Sequence, residues 1–384
     1  MLTALSLAAQ NRERLLTQYR TKAENALTKG RTSPPYAYVI PAEQAVPRDA
    51  AEMVGLLRRQ GIEVHRAAVP GTFAADPAPG SEGDADSVSI APGDLVIRMD
   101  QPYRNLILTL MQVQDFPANA PRPYDDVAWT FPLMFNAVAR PVTDSAVLGH
   151  AMAPAEAALP FRGEVAGAGE WWVVRPSPSA YTLPARLAMA RTRVWAAEEP
   201  VVLGEDTVAA GAWLIRARDL PTERAQAWAA EFGLDLVGAP ESAVSAVTRH
   251  EMDLPRIAVL HTWSSTQPEG WVRYTLDHLG VPFTYIADTE LRSLGDLRRR
   301  FDVILFPDQG GGARSIFEGL DPALGPLPYR ASREHPSLGF PDETDDMTGG
   351  MRYEGLIALR EFVQRGGTFI GLRRASTLPV EFGL

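Results

Sequence analysis

A chain of 384 residues has length for two or three domains, and 46% apolar with 22% charged residues is a globular balance. A formal net charge of −10 excludes the basic surface that non-specific nucleic-acid binding needs. The absence of cysteine excludes disulfides, thiolate nucleophiles, Fe–S clusters and Cys-type zinc sites together.

No run of about 18 uncharged apolar residues predicts a membrane span. Met1 to Gln10 lacks a basic n-region and runs straight into Asn11-Arg12-Glu13-Arg14, so no signal peptide is read there. A start inside a helical pattern, without a capping residue, suits a fragment as readily as a complete gene product. Periodicity predicts an N-terminal helix within 1–30, closed by Gly30.

An accessory region over 31–245 follows. Tyr36 to Ile40 is a short apolar strand, Pro47 opens a helix to Gln60, and Gly61 turns the chain into Ile62-Glu63-Val64. The unit returns as Trp171 to Val174, Leu183 to Ala190 and Arg193 to Trp195. It returns again as Arg256 to Leu260, Pro268 to Leu279 and Phe283 to Ile286. Strand–helix–strand with a glycine turn is the grammar of a parallel α/β fold. Between units, 70–93 is rich in Pro, Gly, Ala and Asp without Lys or Arg, and reads as a flexible acidic loop. Pro117 to Pro123 reads as irregular, and Trp129, Trp171, Trp172 and Trp195 as core packing. Periodicity fades over 242–255, where the main boundary is expected.

Within 256–384, Asp302 to Phe306 is a buried strand, Tyr353 to Gln364 an amphipathic helix, and Thr368 to Leu372 the next strand. Pro307 to Gly350 carries little periodicity, and so long a loop is usually functional or partly disordered. An open parallel sheet has about five or more strands, so this domain reads as cut short.

Two stretches carry a resemblance. Tyr38 to Ala42, Gly93 to Asn105 and Pro123 to Pro132 are similar to the region downstream of the catalytic domain in bacterial zinc carboxypeptidases of the carboxypeptidase A type. The segment 256–384, through Val303 to Gln309 and Asp345 to Met351, resembles the flavodoxin-like, class I glutamine amidotransferase-like domain that closes those proteins. The resemblance implies a metallocarboxypeptidase parent, exported, with zinc held in a peptidase domain. It implies as partners that catalytic domain or its peptide substrate, with no nucleic acid and no membrane span. Self-association is left open.

The zinc motif H-x-x-E needs Glu three residues after His. His65, His150, His250, His261, His278 and His335 are followed there by Ala68, Ala153, Asp253, Ser264, Val281 and Leu338. No metal site and no cofactor are therefore expected in this chain. His250 with Asp253 is the nearest miss, on a stretch read as a solvated linker. Amidotransferase chemistry needs Cys at the turn after the Thr368 to Leu372 strand, where Arg373 and Arg374 stand. Ser376 beyond it is not framed as G-x-S-x-G. Gly310-Gly311-Gly312 reads as a flexible loop, and Asp342, Glu343, Asp345 and Asp346 as a solvated one lacking the EF-hand pattern.

No catalytic residue is assigned. The expected ligand-binding residues are His261, Trp263, Asp308 and Gln309, at strand ends that line the crevice of an open α/β sheet. The leading expectation is a non-catalytic, substrate-positioning part of a carboxypeptidase-like protein. The alternatives are a binding domain without turnover and a hydrolytic α/β domain near His261 and Asp308.

Overall fold

The computed structural model describes residues 2–79, 86–114, 117, 119–120, 129–155 and 163–384. The chain divides into two compact units. The first comprises Met1–Thr182 and Thr192–Glu251, the second Leu183–Arg191 and Met252–Leu384. Both mix helices with sheets, so the chain is α/β in the broad sense. No helix among the described residues is long and apolar enough to cross a membrane.

The first unit opens with helices Leu2–Gln10 and Arg12–Thr32. The expected stop at Gly30 is corrected: the helix runs through it, and Gly30 is buried. A Cβ there would lie 2.1 Å from Met99 O and 2.6 Å from Asp100 Cα. Glycine is used for close backbone approach and not for a left-handed cap.

The parallel pairing expected across 31–245 is also corrected. Strand Ala37–Ile40, helix Pro47–Arg59 and strand His65–Ala67 form in the expected order. The two strands do not touch each other. Leu95–Arg98 lies between them and pairs antiparallel with both, within a seven-stranded sheet. The Trp171–Val174 and Val194–Ala197 strands are split in the same way by Trp213–Arg216, in a six-stranded sheet. Among the described residues, Val165–Ala166 alone pairs parallel there, with Leu236–Ala239. The inserted sequences, Leu-Val-Ile-Arg and Trp-Leu-Ile-Arg, begin with three fully apolar residues that are buried in a row. A strand apolar on both faces gains most in the middle of a covered sheet. That energy is invisible in the local strand–helix–strand pattern.

Two further expectations change. Within the acidic segment 70–93, strands Gly71–Ala75 and Asp86–Ile90 pair antiparallel over five residues, with Val88 and Ile90 buried. Residues 80–85 of that loop lie outside the described residues, as do 118 and 121–128, which hold part of the irregular stretch and of the resemblance. In the fading segment 242–255, Arg249–Glu251 forms an edge strand against Val194–Ala197. Trp171 and Trp172 are core residues whose indole N–H groups donate to Glu241 Oε2 and Leu220 O, both at 2.8 Å.

The second unit holds the all-parallel sheet. Its order is Thr284–Ala287, Ile257–His261, Val303–Phe306, Thr368–Gly371. The chain therefore leaves the central Ile257–His261 strand first towards one edge and later towards the other. Its core gathers Leu260, Ile304 and Phe306 of the sheet with Leu359 and Phe362 of helix Arg352–Gln364. The long stretch before that helix is tied down. It contains helix Ala313–Glu318 and the bridges Leu320↔Thr348 and Tyr329↔Thr344. Arg292 holds its end by donating to Gly350 O and to Thr348 O.

A candidate binding crevice at the strand ends

His261 closes the central strand and is 1% exposed. The neighbouring strand is aligned so that Tyr285 lies opposite Val259. The rings of His261 and Tyr285 stack, with centroids 4.0 Å apart and planes 7° from parallel. His261 Nε2 lies 3.0 Å from Asp342 Oδ2, and Nδ1 lies 3.4 Å from the Thr262 carbonyl. A neutral imidazole carries one N–H, and the shorter contact assigns it to Nε2, donating to Asp342. The ring is built to hold Asp342 in place.

Helix Gln267–His278 begins beside it, with Pro268 in the first turn. Glu269 in that turn is 2% exposed, and Arg273 one turn later donates to it at 2.7 Å. The Arg273 guanidinium also lies 4.8 Å from the Tyr285 ring centroid. Tyr285 has its phenol pKa raised, by burial first and then by its hydrogen bond to Glu269. It stays protonated and donates.

Trp263 meets the His261 edge at 4.9 Å and the Tyr329 ring at 5.7 Å. Its indole N–H donates to Thr289 Oγ1 at 3.2 Å, which sets the ring plane. These groups, with Phe340 and Met347, enclose about 400 Å³. That volume suits a side chain or a small ligand.

Behind His261 sits a buried carboxyl. Asp288 is 2% exposed, and its backbone N–H donates to His261 O at 2.8 Å. Burial pushes its pKa up to about 7, against the smaller opposing effects of the Thr289 N–H and of Arg292.

Of the four expected residues, His261 and Trp263 line the crevice. Gln309 is buried beneath: its Oε1 accepts from Thr262 Oγ1 at 2.6 Å and its Nε2 donates to Pro307 O at 3.0 Å. Asp308 turns the other way. It accepts from the backbone N–H of Gln309 at 2.9 Å and of Arg374 at 3.0 Å, and pairs with Arg373 at 3.3 Å. Asp308 thus ties two strand ends together. Arg373 occupies the turn expected for a nucleophile, and its φ is +48°. The Ser376 hydroxyl donates to Arg373 O.

Sequence reasoning missed Glu269, Arg273, Tyr285 and Tyr329, and read Asp342 as part of a solvated loop. Glu269 and Arg273 carried a local signal, a carboxylate and a guanidinium one helical turn apart. Asp342 carried none, because its partner is 81 residues away.

Among the described residues no three His, Cys, Asp or Glu side chains gather to hold an ion. His250 pairs with Glu198 at 3.0 Å. In the acidic loop Asp345 pairs with Arg330, and Asp346 accepts from the backbone N–H groups of Leu327 and Thr348.

Comparison with protein-family models finds no match to this chain, and comparisons with curated proteins and with solved structures find none either.

Proposed function

We propose that this chain is a non-catalytic, substrate-positioning part of a zinc carboxypeptidase-like protein, and that it holds peptide in the His261–Trp263 crevice. The observation that carries the reading is the state of His261. It ends a parallel strand at the mouth of a cavity, where α/β sheets bind ligands. Its Nε2 is engaged by Asp342 and its ring is buried and stacked on Tyr285, which supports a role in holding the cavity wall over one in proton abstraction. The turn where an amidotransferase nucleophile is expected carries Arg373. The strand order second, first, third, fourth is the start of the flavodoxin-like order, which supports the finer reading of 256–384 as amidotransferase-like. Zinc belongs, in this reading, to a separate peptidase domain.

The test joins binding to turnover. Thermal-shift measurements with pooled short peptides are expected to stabilise the wild type, and Trp263→Ala is expected to lose the shift. Release of C-terminal amino acids from those peptides is not expected. Release that disappears in His261→Ala or Asp308→Ala would establish the hydrolytic alternative, and no shift with any peptide would remove the binding reading.

A further inference from the structure

The crevice is divided between two chemical halves. In one, a guanidinium already lies over an aromatic face beside a carboxylate: Arg273 sits 4.8 Å from the Tyr285 centroid and 2.7 Å from Glu269 Oε2. The other half has the same components without the cation. Trp263 and Tyr329 stand 5.7 Å apart at 52°, Phe340 is 80% exposed at the rim, and Asp342 faces the same space. Glu269 is neutralised by Arg273. Among the described residues Asp342 is paired only with His261, and no Lys or Arg forms a salt bridge with it. Its Oδ1 accepts only the Glu343 backbone N–H.

Resting on the peptide-binding reading above, we infer that this second half selects an organic cation on an alkyl stem, the side chain of a lysine or arginine in the bound peptide. The stem would lie along Met347 and the aromatic rings, while the charged head meets Asp342 and the ring faces. Aromatic faces attract such cations through their quadrupole, more strongly where water is excluded. An anionic side chain in this half would meet the Asp342 carboxylate and be repelled. His261 contributes indirectly, by fixing the Asp342 carboxylate in the cavity wall.

Calorimetric titration with three small probes tests this: the methylamides of Nα-acetyl-lysine, Nα-acetyl-norleucine and Nα-acetyl-glutamate. The lysine probe is expected to bind about tenfold more tightly than norleucine, with glutamate weakest. Asp342→Asn keeps an acceptor for His261 and should reduce the preference for lysine over norleucine to under about threefold. Tyr329→Leu, at a partly exposed loop position, should weaken lysine by about fivefold. Equal or tighter binding of norleucine or glutamate by the wild type overturns cation selection and leaves the peptide crevice standing. No heat with any probe, while pooled peptides still stabilise the protein, also overturns it. Failure of both probes and pools takes down both readings.

Discussion

The two units start from the same strand–helix–strand pattern and end with opposite sheet chemistry. In the first, an antiparallel strand enters each of two such units, at Leu95–Arg98 and at Trp213–Arg216. In the second, Ile257–His261 and Thr284–Ala287 pair directly. The difference decides where a site can form. Adjacent antiparallel strands end at opposite edges, so the loops after them are dispersed. Parallel strands end at one edge, and the segments after 261, 287, 306 and 371 all leave from it. The positions of His261, Asp288, Asp308 and Arg373 follow from that geometry.

The largest expected effect comes from removing what keeps an inserted strand in place. Trp172 is 2% exposed, and its indole bonds Leu220 O next to the Trp213–Arg216 strand. Trp172→Ala is expected to cost about 3–5 kcal/mol in denaturant titration. Hydrogen exchange should accelerate at Trp171–Val174 and Trp213–Arg216. Unchanged protection there would show that the inserted strand does not depend on this packing.

Asp288 sharpens the comparison from the other sheet. Its folded-state pKa of about 7 lies above its ordinary 3.8, so the native protein keeps a proton that the unfolded chain releases. Stability from this group is full below pH 4 and is lost as pH rises towards 7. Asp288→Asn should remove that slope and stabilise the protein at pH 8, with a ceiling of roughly 4 kcal/mol. Midpoints of urea unfolding at pH 5 and pH 8 measure it, and equal slopes in mutant and wild type would refute it.

Gly30 tests close packing in the first unit. An exposed mid-helix Gly→Ala change gains about 1 kcal/mol in helix propensity. Here the new methyl would overlap Met99 O, a backbone atom that cannot rotate away. Overpacking of about 1–3 kcal/mol should win, so Gly30→Ala is expected to lower the thermal midpoint. A raised midpoint would mean the helix and the Met99 backbone separate easily.

What was legible in the sequence follows the range of each interaction. Strands at 257–261, 284–287, 303–306 and 368–371 and the helix Arg352–Gln364 are written in local apolar periodicity. Pairing is not local, which is why Leu95–Arg98 and Trp213–Arg216 could not be placed between their neighbours. The hairpin of Gly71–Ala75 with Asp86–Ile90 was hidden by composition: Pro, Gly and Asp obscured the alternating burial of Val88 and Ile90. At the crevice, the sequence could place His261 and Trp263 because strand ends are predictable. It could not place Asp342, since nothing near it in sequence indicates a histidine partner.

Arg373 gives the smallest and most discriminating effect. A non-glycine residue at φ +48° is strained by about 1–2 kcal/mol. Its pair with Asp308, at 3.3 Å with the Arg side chain 74% exposed, is worth between zero and about 1 kcal/mol. Arg373→Ala keeps the strain and loses the pair, so it should destabilise by up to about 1 kcal/mol. Arg373→Gly loses the same pair and releases the strain, offset by about 0.4–1 kcal/mol of added unfolded-chain entropy. Glycine should therefore be more stable than alanine by roughly 0.5–1 kcal/mol, a gap that chevron or equilibrium unfolding can resolve. Alanine equal to glycine would mean the turn relaxes out of the left-handed region. The Arg374 backbone N–H would then no longer be held on Asp308, and the tie between two of the four strand ends beside the crevice would open.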